Sequence, residues 1–260
     1  MQALRLPAAS GWRWIAEGFR LYRRNPSLLI LLALNYWLLF LLVFLVPYVG
    51  SLAANIVLQA LSVTVMNGCR SIDRSTPVAM DIVWSGFKRN LPNLLRLGAL
   101  YLLGEILIAL VLVLGFGASL NEVLGVAATK GERPPDGEAL PPFLFAALGL
   151  TVPLILTFWF APMLVAWHDI GAIKAVFFSA VAVLRNWIAF AVYGASAVLV
   201  SSLVPSVFGL LGNGSGAMAT VSMLAALMFL AFVLMPTLFA SIYVSYREVF
   251  APSVENDRAT

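Results

Sequence analysis

Uninterrupted apolar runs constrain this chain more than any other feature of its sequence. The first, "SLLILLALNYWLLFLLVFLV" at 27–46, contains no charged residue. A helix of about 20 residues is about 30 Å long, which is the thickness of the hydrocarbon core of a bilayer. The strands of a membrane β-barrel would alternate between polar and apolar residues, and these runs do not. The sequence therefore predicts an all-α polytopic membrane protein.

Six runs of this kind follow one another along the chain. We predict six transmembrane helices, over 27–46, 49–68, 94–117, 142–167, 187–211 and 218–244. The composition agrees, since 62% of the residues are hydrophobic and 11% are charged, against about 45–50% and about 25% in soluble domains. We expect residues 1–260 to form a single integral membrane domain.

The basic residues predict an orientation. Fourteen of the 16 Lys and Arg residues lie in the two termini, in the region 69–96 that follows the second run and includes the start of the third, and in the connection that follows the fourth run. The other two, Lys130 and Arg133, lie in the long connection 118–141 on the opposite side. Because positive residues are retained in the cytoplasm, we predict that both termini are cytoplasmic, including a polar tail at 248–260.

A basic and polar signature occurs three times, each time just before an apolar run: Arg24-Asn25, Arg89-Asn90 and Arg185-Asn186. Apolar residues stand three, six and ten positions before each Asn, which places them on one face of a helix. In the first copy they are Ile15, Phe19 and Tyr22. We predict three repeats, at about 10–68, 76–167 and 170–247, each an interfacial amphipathic helix followed by a transmembrane hairpin.

Two roles are open for these six signature residues. Asn can adopt the left-handed conformation that ends a helix, and Pro26 and Pro92 prevent simple continuation, so each signature is predicted to be a corner of the chain. Alternatively, the Arg and Asn side chains recognise lipid headgroups at the membrane interface. The six residues are therefore candidate interface or lipid-headgroup anchors.

The stretch "FAPMLVAWHDIGAIKAVFFSAVAVLRNW" at 160–187 resembles the signature of uncharacterised six-span inner-membrane proteins of proteobacteria, particularly beta-proteobacteria. The matching residues are Ala161, Pro162, Leu164, Ala175, Ser179, Asn186 and Trp187. More loosely, the chain is similar to the membrane domain found beside some glycerophosphodiester phosphodiesterases. The resemblance implies a multi-pass protein of the bacterial inner membrane. Because the soluble phosphodiesterase domain is absent from this sequence, its catalysis is not carried over.

One carboxylate falls near the middle of a predicted span. Glu105 is costly in hydrocarbon unless it faces the bundle interior, is paired or is protonated. Asn55 and Gln59, four residues apart on the second span, are candidate partners, as are Asn35 and Tyr101. We predict a polar clamp between helices; a proton or solute pathway and catalysis remain alternatives.

Structural roles account for the other candidate sites. Asp169, which follows the lone His168, is predicted to cap the next helix. The single cysteine, Cys69, and the absence of a Cys/His cluster argue against a metal site, and we expect no cofactor. Small residues such as Gly194 and Ala226 predict close contact between the last two spans.

These observations lead to one function and one alternative. We predict a non-enzymatic inner-membrane scaffold or accessory protein that contacts membrane lipids and other inner-membrane proteins or copies of itself, and no nucleic acid. The alternative is a transporter of a small hydrophobic or lipid-like solute. It would use Glu105 and the helices kinked at Pro153, Pro162, Pro205 and Pro236.

Overall fold

The structure, a computed structural model, describes residues 3–123, 140–211 and 216–250. These residues form ten α-helices, a 3-10 helix at Met80–Phe87 and a π-helical turn at Leu230–Leu234. The α-helices are α1 (Ser10–Arg24), α2 (Pro26–Phe44), α3 (Gly50–Asp73), α4 (Leu91–Val123), α5 (Leu140–Phe158), α6 (Ala161–His168), α7 (Ala172–Arg185), α8 (Trp187–Leu211), α9 (Gly216–Phe229) and α10 (Met235–Val249).

Six helical stretches of the described residues are long and apolar enough to cross a membrane, as predicted. They are Pro26–Phe44, Leu52–Asp73, Leu91–Gly117, Pro142–His168, Trp187–Leu210 and Gly216–Val249. The all-α, six-span fold class is therefore confirmed. Most of the predicted connection 118–141 and nearly all of the predicted tail 248–260 lie outside the described residues.

The spans pair as hairpins, α2 with α3, α4 with α5 and α8 with α9. By this topology, α2, α4 and α8 begin at the same end of the bundle at which α3, α6 and α10 finish. We call it the basic end, because Arg24, Arg70, Arg89, Arg185 and Arg247 all lie near it. It is the side that the distribution of cations predicts to be cytoplasmic.

The core of the protein lies toward the basic end. Trp14 and Phe160 have no exposed surface, and Leu29, Leu97 and Val249 are also fully buried. Toward the opposite end the helices expose large apolar side chains along most of their length, such as Leu107, Leu148, Leu199 and Met223. A water-soluble protein could not tolerate this surface, but a lipid-facing one requires it.

Helix α1 packs on protein along much of its length. Trp14 and Leu21 are buried against the bundle, where α1 lies across α8 and α10. Glycines permit the close approach, since a Cβ at Gly11 would lie 2.2 Å from the Ala189 carbonyl oxygen and one at Gly18 would lie 2.7 Å from the Ser241 nitrogen. The buried face is thus centred on Trp14, Gly18 and Leu21.

The predicted apolar face of α1 packs on the bundle only in part. Of its three residues, Ile15 and Tyr22 are buried, but Phe19 is 41% exposed. The prediction relied on apolar character alone and did not count Gly18, whose small size brings the backbone of α10 against this part of the helix.

The segment before the second hairpin is a 3-10 helix and not the predicted α-helix. The buried backbone N–H of Gly86 donates to the Thr64 hydroxyl of α3 over 3.0 Å, which fixes the segment against that helix. On its exposed side Lys88 donates a hydrogen bond to Asp81. This bond holds the pKa of Asp81 below its usual range, so the pair remains charged in mild acid.

Two of the spans are interrupted before a proline. The fourth breaks between α5 and α6, ahead of Pro162, and the N–H of Phe160 donates there to the Ser179 hydroxyl over 3.0 Å. The sixth passes through the π-helical turn just before Pro236. Pro153 and Pro205 lie inside α5 and α8.

Candidate functional site

A network of charged side chains joins three helices at the basic end. Arg247 of α10 donates over 2.8 Å to Asp73 at the end of α3, and over 2.8 Å to Glu17 of α1. The Tyr243 hydroxyl donates to the other carboxylate oxygen of Asp73 over 3.0 Å. Arg24 lies 3.8 Å from Asp73. Asp73 therefore has three donors or cations around it.

Beside this network is a pocket of about 220 Å³, which we call the arginine pocket. Its walls come from the ends of α3, α6 and α10, and they combine guanidinium groups with aromatic rings. The lining residues are Arg70, Arg74, Trp167, His168, Tyr243, Tyr246, Arg247 and Phe250.

Local structure explains why two arginines share this pocket. Arg70 is four residues before Arg74, so both side chains project from one face of the end of α3. Cations are also favoured there, because the last turn of a helix carries partial negative charge on its free carbonyls.

Aromatic side chains hold Arg70 in place. Its guanidinium carbon lies 4.9 Å from the centroid of the Trp167 ring, a cation–π contact. The Trp167 indole N–H donates to the side-chain oxygen of Asn67 over 2.8 Å, and its ring packs against Tyr246 with 5.0 Å between centroids. Tyr246 in turn shares a hydrogen bond of 2.7 Å with His168. The floor of the pocket is therefore rigid.

The pocket has an excess of positive charge. Arg247 is neutralised by Asp73 and Glu17, whereas Arg70 and Arg74 form no ion pair within the described residues. No carboxylate of the described residues lines the pocket. Such a site can bind a phosphate or carboxylate group.

Two other kinds of site to consider in the described residues are a metal site and a hydrolase-like pair of nucleophile and base. Among them, no group of three His, Cys, Asp or Glu residues could hold a metal ion. His168 is hydrogen-bonded to Tyr246 and not to a serine, threonine or cysteine. This arrangement differs from the nucleophile and base pairs of hydrolases.

The three signature asparagines lie at three corners of the chain but bond differently. Asn25 caps α2, since its side-chain oxygen accepts from the Leu28 N–H over 3.2 Å. Asn90 alone of the three has a positive φ, of 50°, and it donates to the Val165 carbonyl over 3.0 Å. The left-handed conformation that Asn can adopt is therefore found at Asn90 but not at Asn25 or Asn186.

Asn186 has the most contacts of the three. It is 3% exposed, and its side-chain oxygen accepts from the Leu6 N–H over 2.8 Å. Its amide donates to the carbonyls of Leu4 and Ala182, each over 2.9 Å. The third corner thus holds the N-terminal segment against the bundle, and the Asn186 side chain is directed at protein.

The signature arginines are more exposed. Arg24 lies near Asp73, as described above, and Arg89 lies 3.5 Å from Asp169. Arg185 is exposed at the end of α7. Asp169 does not cap α7 as predicted: it adopts a left-handed φ of 53° that ends α6, and the N-cap of α7 is Gly171.

The polar residues predicted to contact one another within the membrane do so only in part. Glu105 is half-buried and hydrogen-bonded to Tyr101, one turn earlier on the same helix. Gln59 is 6% exposed and lines a cavity of about 190 Å³ together with Tyr101. Glu105 and Asn55 do not line that cavity. Asn35 instead donates to the Val83 carbonyl over 3.3 Å.

The arginine pocket is not evident from the sequence. There, Arg70 and Arg74 are only two of the cations whose distribution predicts the orientation. One signal was available, since the two arginines are separated by four residues and two aromatic-rich segments, "VAWH" and "SIYVSYREVF", end later spans. Nothing in the sequence alone placed those three segments together.

Comparison with known proteins found one kind of similarity. The chain is 34% identical over 259 residues to a Burkholderia thailandensis protein named as a probable inner membrane protein, and the match covers 96% of this chain and 94% of that one. No protein-family model matches the chain. No solved structure matches it either. The looser similarity to the membrane domain beside glycerophosphodiester phosphodiesterases is unsupported by these comparisons.

Proposed function

Since the chain belongs to the family of this Burkholderia thailandensis inner membrane protein and is itself a multi-pass inner-membrane protein, we propose that it is a non-enzymatic accessory or scaffold protein. In this proposal it contacts other membrane proteins and uses the arginine pocket to bind a phosphate-bearing group at the membrane surface.

One observation carries the proposal: Arg70 and Arg74 line the same pocket, and neither has a carboxylate partner within the described residues. Two guanidinium groups side by side repel each other, so an anion between them stabilises the pocket. Guanidinium forks also match the geometry of phosphate oxygens better than a lysine ammonium does.

The size of the pocket limits the ligand. About 220 Å³ is below the roughly 300–1,000 Å³ of typical small-molecule sites. The pocket therefore suits one phosphoryl or carboxylate group with a few attached atoms. Lipid headgroups and free phosphate share this chemistry, and basic pockets between transmembrane helices on the cytoplasmic side are known to bind anionic headgroups.

The transporter remains the second candidate, because the cavity beside Gln59 and Tyr101 lies inside the bundle and Pro162 is among its lining residues. Glu105 argues against a transporter, because it is hydrogen-bonded within its own helix and does not line that cavity. The hydrogen bond between Glu105 and Tyr101 would have to break before the carboxylate could bind a solute or exchange a proton with it.

Purification from the native membrane in mild detergent tests the proposal. Phosphorus bound per protein is measured for the wild type, for R70Q/R74Q and for R20Q/R23Q, which removes the same charge from exposed positions on α1. We expect the first double variant to bind less phosphorus than the wild type and the second to retain the wild-type amount. Equal phosphorus in all three, together with a lipid-like solute inside the bundle, would favour the transporter.

A further inference from the structure

A second recess lies on the outside of the bundle, between α4 and the start of α7. It has a volume of about 650 Å³ and shares no lining residue with the arginine pocket. Its α4 wall consists of Asn93, Arg96, Ala99, Leu100 and Leu103, of which the last four follow the i, i+3, i+4, i+7 spacing of one helix face. We call it the α4–α7 groove.

The groove is cationic at one end and apolar along the rest. Arg96 and Lys174 are both exposed, and neither forms an ion pair within the described residues. No acidic residue in the part of the chain that the structure describes lines the groove, and the neighbouring Ile173 is 75% exposed. The two cations therefore produce a local positive potential next to an apolar surface.

The arginine of the groove is held in position from its own helix. Arg96 donates over 3.3 Å to the side-chain oxygen of Asn93, and Asn93 donates over 2.7 Å to that of Asn90. Asn90 is the signature residue at this corner, with its amide bonded to Val165. A series of hydrogen bonds thus connects the Arg96 side chain to the corner of the chain at Asn90.

The groove is long enough to hold the upper part of an acyl chain. Leu103 is seven positions after Arg96 on α4, which corresponds to about 10 Å along the helix. One leaflet contributes about 15 Å of hydrocarbon. A phosphate beside Arg96 and Lys174 would therefore place an acyl chain along Ala99, Leu100 and Leu103.

We infer that the α4–α7 groove binds one anionic glycerophospholipid of the surrounding bilayer, with its phosphate between Arg96 and Lys174 and one acyl chain along α4. The charge of the site selects an anionic over a zwitterionic headgroup. A free phosphate would satisfy the cations but would leave the apolar wall uncovered.

Lipid titration followed by native mass spectrometry tests this inference. The measurements are made on R70Q/R74Q protein, so that the arginine pocket does not contribute and the outcome is independent of the proposed function. The probes are dioleoyl phosphatidylglycerol and dioleoyl phosphatidylcholine. Adding R96Q/K174Q should weaken phosphatidylglycerol binding about tenfold or more, whereas adding R20Q/R23Q should change it less than about twofold.

A second pair of variants tests the apolar wall. Ala99→Trp fills the groove and should also weaken phosphatidylglycerol binding, whereas Ala195→Trp, at an exposed alanine of α8, should not. Arg96 and Lys174 are exposed, so R96Q/K174Q is expected to fold. Its lipid binding therefore tests the inference even if Ala99→Trp does not fold. Three outcomes would overturn the inference: unchanged binding in R96Q/K174Q, equal affinity for phosphatidylcholine, or displacement of the lipid by glycerophosphoglycerol, which has no acyl chain.

Discussion

Arg247 donates a hydrogen bond to Asp73 over 2.8 Å, although 174 positions separate them in the sequence. The contact joins the end of α10 to the end of α3, and Glu17 extends it to α1. It also determines which arginines of the basic end are available, because Asp73 neutralises Arg247 and leaves Arg70 and Arg74 without a carboxylate.

Asp73→Asn should destabilise the protein by about 1–2 kcal/mol, since it removes a charge-assisted hydrogen bond from a carboxylate that is only 17% exposed. The free energy of unfolding is measured in detergent. Asp169→Asn is the control: its pair with Arg89 is 3.5 Å long and more than 60% exposed on both sides, so its loss should cost at most about 0.5 kcal/mol. Equal losses would mean that the Asp73 network adds nothing specific.

Asn186→Ala should release the N-terminal segment. The substitution removes bonds to Leu4, Leu6 and Ala182, so the segment should open more often and trypsin should cleave after Arg5 about tenfold faster or more. Asn25→Ala removes only the cap of α2 and should cost about 1 kcal/mol without exposing Arg5. Unchanged cleavage in Asn186→Ala would show that other contacts hold the segment.

Glu105 separates the two candidate functions. Glu105→Gln keeps an acceptor for Tyr101 and should leave stability nearly unchanged, whereas Glu105→Leu and Tyr101→Phe should each cost about 0.6–2 kcal/mol. Thermal unfolding of the three variants checks this. If the chain is a proton-coupled transporter, Glu105→Gln will fold normally yet lose coupled uptake, because an amide cannot release the proton.

The predicted orientation can be measured with single cysteines in a Cys69→Ala background. Cys69 is fully buried, so its removal leaves the exposed surface unchanged. Cysteine at position 129 should react with a membrane-impermeant reagent from the periplasmic side, whereas cysteine at Ser75, an exposed turn residue at the basic end, should not. The reverse pattern would place the basic end in the periplasm.

The spans were predicted correctly because the features that define them lie within short stretches of the sequence. Apolar length and the chemistry of Asn and Pro act within a few residues, so the corners at Asn25 and Asn90 could be located before any tertiary contact was known. Asp169 shows the limit of this reasoning, since the left-handed turn that ends α6 took the position expected to cap α7.

The arginine pocket could not be predicted in the same way. Arg70, Trp167 and Tyr246 come from three separate spans, and no periodicity connects them. Close contacts between helices were predicted only in part: Ala226 is buried, but a Cβ at Gly194 would have nothing within 4 Å, whereas one at Gly18 would meet the backbone at Ser241. Which glycine is needed depends on how helices cross, which the order of residues along one helix does not reveal.

The measurement that tests the central proposal most directly is a calorimetric titration of the purified protein with glycerophosphoglycerol and, separately, inorganic phosphate. Neither has an acyl chain to cover the apolar wall of the α4–α7 groove, and the difference between wild type and R70Q/R74Q isolates binding at the arginine pocket. Wild-type protein and R20Q/R23Q should give saturable binding of glycerophosphoglycerol, and R70Q/R74Q should bind at least about tenfold more weakly. Tighter binding of inorganic phosphate would make free phosphate the ligand in place of a headgroup. Equal affinities in wild type and R70Q/R74Q, or no binding of either ligand to the wild type, would contradict the assignment of this pocket.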